Sequence, residues 1–427
     1  MKYFFILIFL LLIGFVSAIP YWTGVVAQHQ LPLFNKRLSN DIPLKFTEDR
    51  YEQGWFHSFA ESTLTVDIPM FNEHPFIVQH TIDHGFLPAQ SPNIQSVLLA
   101  HLPACAPKLL TLNTSFQVTG EGTSVVDISP CTLPIENGSI QWQTSQAETH
   151  FVRDFSKISG ELQSSQIQVN SGQTQIMVQD MGIQYRLEQK FLSELAIMAS
   201  ALHIFDQISV KFDQCKLKIR TEKTPDYLTI IATSDTQKAF VEAESYGPAH
   251  LDFSIQHLHL DTLQNLQTTL QSLYGHTASS LQQSFLLANV LTQQVPTLLK
   301  HSPELVVSRL NFRPPAGEVI SQLRVKVETF DNNVLFNPVM LTQMLAVQFK
   351  LSLPQAMLKQ LAQLSFEYQG IIPTPDMIEQ RTQYWLTERF FIPSLKQPNH
   401  YQIELQSKTG VLQINEKKLL WEDVLRR

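Results

Sequence analysis

The sequence predicts an α+β fold that is mainly β: a long antiparallel, meandering, curved sheet with two inserted helical pairs. Three observations carry this reading. Runs that alternate apolar and polar residues recur along most of the chain, glycines come singly between them, and only two stretches switch to helical spacing. At 427 residues the chain exceeds the usual size of one core, so two or three packed units are expected.

The first strand signal is "RYEQGWFHSFAESTLTVDI". Phe56, Ser58, Ala60, Ser62, Leu64, Val66 and Ile68 share one face of an extended chain, and His57, Glu61, Thr63, Thr65 and Asp67 take the other. Gly54 at its start is expected to adopt positive φ or to let the backbone approach a neighbour closely. "FIVQHTID" follows, with Phe76, Val78, His80 and Ile82 on one side. The stretch from Phe155 to Tyr185 reads as short runs broken at Gly160, Gly172 and Gly182. "SVKFDQCKLKIRT" changes phase near Asp213, as a bulge or turn would make it. "HLDFSIQHLHL", "SQLRVKVETF", "LAVQFKLSL" and "HYQIELQSKTGVLQI" continue the pattern, the last with a hairpin loop at Thr409 and Gly410.

Helical spacing appears in "DTLQNLQTTLQSLYG", where Asp261 fits an N-cap, Leu263, Leu266, Leu270 and Leu273 form a stripe, and Gly275 fits the stop. A partner helix is expected over about 278–299, ended or kinked by Pro296. A second pair is "PQAMLKQLAQLSFEYQG" and "TPDMIEQRTQYWLTERFF", the latter opened by Thr374 as cap and Pro375 at the first helical position. The expected organisation is an N-terminal anchor or uncleaved signal at 1–22, a β-rich region at 23–260, a helical hairpin at 261–300, and strands with a helical pair at 301–427 that continue the sheet.

Apolar residues make up 44% of the chain and charged residues only 16%, below the roughly 25% common in soluble domains, so the surface is polar but weakly charged. A net charge of −7 without a basic cluster excludes a nucleic-acid partner from this reading. Residues 3–22 form an apolar run of about the length that crosses a hydrocarbon core. Lys2 precedes it and the next cations are Lys36 and Arg37, so the N-terminus should stay cytoplasmic with the rest exported. Val16 and Ala18 also form a small-residue cleavage site, the competing reading. Of three cysteines, Cys105 and Cys131 could close a loop in an oxidising compartment, and an unpaired state fits the sequence equally well.

Motifs that carry chemistry are scarce. His80 and His84 would pair on a helix, but four residues along a strand span about 13 Å, too far to share an ion. His257 and His259 share a strand face and are the better metal candidates, with no third ligand identifiable. The G-x-S-x-G elbow, a helical S-x-x-K, H-E-x-x-H and phosphate-binding glycine loops are absent, and no cofactor is implied.

Four landmarks resemble the bacterial YdgA-like proteins across essentially the whole chain. They are "PYWTG" after the apolar run, "YEQGWFHS", "IDHGFLP", and the closing "GVLQINEKKLLWEDV". Carried over, they fall on Thr23 and Gly24; on Tyr51, Gly54, Phe56 and Ser58; on Asp83, His84 and Gly85; and on Asn415. Phe86 replaces a proline of the family turn, and Glu416 replaces the glycine after Asn415. The resemblance implies a single-pass inner-membrane protein with a large periplasmic body, whose motif residues are structural. The functional expectation is a non-enzymatic envelope scaffold or an apolar-ligand (lipid) binder, by analogy with AsmA-like envelope proteins and their apolar troughs. Its partners would be the inner membrane through residues 3–22, lipid or another envelope protein, and a second copy of the chain. The alternative is a periplasmic hydrolase or metal-dependent enzyme with an unrecognised site.

The charge asymmetry about residues 3–22 predicts that the intact protein pellets with inner membrane and that external protease digests nearly all of it in spheroplasts. A soluble product beginning at Ile19 would establish cleavage instead.

Overall fold

The structure is a computed structural model that describes residues 44–66, 76–84, 91–100, 104–117, 119–135, 137–189, 191–242, 244–266, 295–328, 344–394, 397–408 and 411–420, with positions 25, 28 and 290. The apolar run, Thr23, Gly24, Gly85, Gly275, the Thr409–Gly410 loop and most of 278–299 lie outside the described residues. The fold is mainly β with antiparallel pairing, and the chain divides into two compact units, Met1–Gln207 and Ile208–Arg427.

The first unit is a meander. Strands β1 (Leu44–Gln53), β2 (His57–Val66), β3 (Phe76–Asp83), β4 (Asn93–Leu99), β5 (Lys108–Phe116) and β6 (Gly122–Ile128) each pair with the next. The hairpin of β7 (Cys131–Ile135) and β8 (Gly138–Trp142) comes before β9 (Ser145–Phe151), which pairs back on β6. Strand β10 (Lys157–Ser171) is long enough to pair with β9 along one half and β8 along the other. Strands β11 (Thr174–Glu188) and β12 (Phe191–Phe205) complete the unit. Of the three glycines expected to break this region, only Gly172 does so: it sits in the β10–β11 turn at φ 58°, a conformation a side chain disfavours. Gly160 and Gly182 lie inside uninterrupted strands of 15 residues. Both can do so because neighbouring strands supply the ladder on each side, which outweighs glycine's weak strand preference.

The second unit repeats the strategy. Strand β13 (Ser209–Lys223) pairs with β15 (Lys238–Val241) over its first part and with β14 (Tyr227–Thr236) over the rest. The switch falls at Gln214, at φ 53°, where the sequence changes phase. Strand β16 (Glu244–Tyr246) pairs with β15. Strands β17 (Ala249–His259), β18 (Glu304–Phe312), β19 (Val319–Val327) and β20 (Leu345–Pro354) then pair in succession from β14. Helical residues 260–266 follow β17, and α1 (Val295–Lys300) precedes β18. Pro296 lies in the first turn of α1, where its missing N–H has no partner to lose. Strands β21 (Ile392–Pro393), β22 (His400–Lys408), β23 (Val411–Ile414) and β24 (Lys417–Leu420) close the unit, with β22 between β20 and β23.

The expected second helical pair is present as α2 (Gln355–Glu367) and α3 (Pro375–Thr387). Thr374 accepts from the Met377 N–H at 3.4 Å, and Pro375 takes the first helical position. Leu358, Ala362 and Phe366, spaced at four, are the buried positions of α2. Leu358 joins Val319 and Leu353 in a core packed by Trp385, Phe391 and Tyr401. The pair therefore covers one end of the sheet face in this unit.

Cys105 and Cys131 form a disulfide across 26 residues, joining the approach to β5 to the start of β7. Cys215 is free, and burial pushes its thiol pKa up. Replacing Cys105 and Cys131 with serine is expected to lower stability by about 3 kcal/mol, from the lost loop constraint, read as a lower urea midpoint against the oxidised protein.

Candidate functional site

Two features stand out as candidates: a sealed polar node in the first unit and the apolar sheet face within each unit. The node assembles the motif residues. Pairing of β2 with β3 sets His57 opposite Asp83 and Ser58 opposite Ile82, which brings the "YEQGWFHS" and "IDHGFLP" stretches together. The Ser58 hydroxyl lies 2.8 Å from His84 Nε2, and His84 Nδ1 lies 3.0 Å from the Trp55 carbonyl. A carbonyl can only accept, so Nδ1 donates to it, and in the neutral ring Nε2 accepts from the serine. The His84 N–H bonds the Phe56 carbonyl at 2.9 Å, and the Gly54 N–H bonds the His57 carbonyl at 2.9 Å. On the opposite face, His57 Nδ1 is 2.5 Å from Asp83 Oδ1.

Hydrogen-bonded serine and histidine resemble a nucleophile with its base. Here Ser58 is 2% exposed and His84 1%, so neither can meet a substrate. The node is a clamp on the Gly54 turn. Gly54 does not take positive φ; the reason for glycine is close approach, since a Cβ there would lie 2.3 Å from the His57 carbonyl oxygen. Phe56 does not join the inner face of β2. It precedes the strand and is 50% exposed, because the turn, not the strand alternation, sets its direction. Tyr51 is half-buried on β1 opposite Ala60. Asn415 works similarly in the second unit: at φ 50° it makes its turn without a following glycine. Its side chain accepts from the Glu404 N–H at 2.8 Å and donates to the Arg389 and Phe390 carbonyls at 2.8 and 2.9 Å.

The metal candidates separate. His257 sits at φ 60° and is exposed, whereas His259 stacks on His301 with ring centroids 3.8 Å apart and meets Thr262 Oγ1 at 3.1 Å. Burial and the neighbouring His259 ring lower the His301 pKa. Among the described residues no three His, Cys, Asp or Glu side chains are grouped to hold a metal ion. His80 bonds Ser96 Oγ at 2.7 Å through Nδ1, and burial lowers its pKa.

The sheet faces were only partly visible in sequence. In the second unit, cross-strand register aligns Ile219, Ala232, Phe253 and Val307 on β13, β14, β17 and β18. The same row runs on through Leu323, Phe349, Leu405 and Ile414. All eight side chains are half-buried, not buried. Alternate positions such as Lys218, Arg220, Arg324, Gln348, Lys350 and Gln406 face away and are exposed. In the first unit a comparable row passes through Leu112, Val126, Ala147, Leu162, Ile183 and Ile197, again half-buried. Beside it the Tyr185 hydroxyl reaches Thr149 at 2.7 Å across Gly160, where a Cβ would lie 2.7 Å from that hydroxyl.

The profile of a family described as bacterial protein of unknown function, DUF945, matches residues 1–420. The chain belongs to the DUF945 family. It matches no curated protein and no solved structure.

Replacing Gly54 by Val is expected to destabilise the first unit by about 1 kcal/mol or more, because the new Cβ would displace the His57 carbonyl. Unchanged thermal unfolding of Gly54→Val would remove the clamp explanation.

Proposed function

We propose that this DUF945 member is a non-enzymatic envelope protein, tethered to the inner membrane through residues 3–22, whose exported body holds a long-chain amphiphile against its apolar sheet faces. The observation that carries the proposal is the eight-residue row from Ile219 to Ile414, in register and half-buried along its length. A sheet face covered by a second layer would bury such residues. Among the described residues, the α2–α3 pair packs on the end of the face around Val319 and Leu353.

Magnitude favours a long ligand. Completing the burial of a half-exposed Leu, Ile or Phe is worth on the order of 1 kcal/mol. Association costs roughly 4–15 kcal/mol, so a small apolar molecule touching two or three residues would not stay bound. An acyl chain lying along a row recovers enough. The YdgA-like landmarks and the apolar N-terminal run support the tether and the periplasmic location. A paired Cys105–Cys131 is in keeping with an oxidising compartment. A hydrolase built on Ser58 and His84 is disfavoured by their burial.

The test is native mass spectrometry and solvent extraction of protein purified without added lipid, followed by uptake of a fluorescent fatty acid. We expect co-purified amphiphile, and at least about tenfold weaker uptake by the Leu323→Glu/Phe349→Glu double variant, since each change sets a charge on the row. Protein that is repeatedly empty and takes up no probe would discard the ligand reading and leave scaffolding.

A further inference from the structure

Strand β17 ends at His259 and β18 begins at Glu304; between them the chain leaves the sheet through helical residues 260–266 and returns through α1. One contact closes the base of this excursion. His259 and His301, which flank it, stack face to face with 3.8 Å between ring centroids and 3° between planes. The Tyr227 ring of β14 meets both edge-on, at 5.9 and 6.2 Å, and buried Thr262 places its hydroxyl 3.1 Å from His259 Nδ1. Backbone bonds anchor both ends: the Leu260 N–H donates to the Asp226 carbonyl, and the His301 and Ser302 N–H groups donate to the Leu298 and Leu299 carbonyls.

We infer that the His259–His301 stack is an acid-sensitive clasp: with both rings neutral it holds residues 260–266 and α1 together, and protonation of the rings parts them. Neutral imidazoles pack as flat aromatic faces, whereas two imidazolium rings at this separation set like charges in contact. Burial and the His259 ring lower the His301 pKa, so the folded unit favours the neutral form. Stability from the contact is therefore present above the ordinary histidine pKa of about 6.5 and lost as pH falls below it. Compensating charge is missing. The titratable groups around the pair are Tyr227 with Asp226 before it, His257 and Asp261 along the chain from His259, Lys300 at the end of α1, and Glu304 on β18. Glu304 is held by Arg324 of β19 at 2.5 Å, and among the described residues no carboxylate forms an ion pair with either ring. Residues 262–299 contain no Asp, Glu, Lys or Arg, and His276 is their only histidine. Imidazole is thus the group through which this stretch can respond to mild acid.

The test is hydrogen exchange of the full chain, followed by mass spectrometry from about pH 8 to about pH 4 and corrected for the intrinsic pH dependence of exchange. In wild type, residues 260–266 and 295–300 are expected to lose protection through a midpoint below about 6.5, while β14 keeps its own. His301→Phe, whose flat ring takes no proton, is expected to stay protected to about pH 5, and His276→Gln to behave as wild type. Wild-type protection that persists to about pH 5, or a midpoint near 4 where carboxylates titrate, overturns the clasp. So does equal loss in His301→Phe, or loss abolished by His276→Gln. If His301→Phe does not fold, the wild-type midpoint and His276→Gln decide.

Discussion

The structure depends on one constraint, the preservation of cross-strand register. Side chains on a strand alternate faces with a period of two, so a slip of one residue between any two strands would move every apolar residue beyond it to the wrong side. From β13 to β23 the row survives three interruptions. The β14–β17 pairing shifts between Leu228 and Ile230, β17–β18 between Asp252 and Phe253, and β18–β19 between Val307 and Leu310. Each shift lies beside the row, and Ala232, Phe253, Val307 and Leu323 remain aligned through it. Bulges here change twist locally without changing which face is apolar.

The polar residues on the inner face of the first unit follow from the same constraint. Thr114 bonds Ser124 at 2.8 Å, Ser145 bonds Ser164 at 2.8 Å, and His80 bonds Ser96 at 2.7 Å, each across one ladder step. Hydroxyls that satisfy one another can occupy an inner face at little cost. They also hold the strands against sliding, because a slipped pair would strand both partners. The Ser58–His84 clamp applies the same chemistry at the Gly54 turn, just beyond the last β1–β2 ladder pair, Gln53 with Ser58.

Much of this was legible in the sequence where strands alternate cleanly. The rows through Leu323, Phe349 and Leu405 can be read from their segments, and Thr374 with Pro375 announces α3. Gly160 and Gly182 misled because a lone glycine signals a break only if no neighbour needs its missing side chain; at Gly160 the neighbour is Tyr185, distant in sequence. Strand β12, "FLSELAIMASALHIF", has apolar residues on both faces and so lacks the period that marks a strand. Ser58 and His84 were identifiable by resemblance, but their contact depends on β2–β3 register and their seal on burial. Neither can be read from spacing. His301 was missed because its partner His259 lies on the far side of an intervening segment.

The β7–β8 hairpin shows how such a molecule can change size. It enters between β6 and β9, yet β8 extends the register that β9 holds against β10, and β7 extends the one β6 holds against β9. The inserted strands lengthen existing rows without displacing any. An architecture of this kind is open to evolution by accretion, in which a duplicated hairpin adds length and every older pairing is inherited intact.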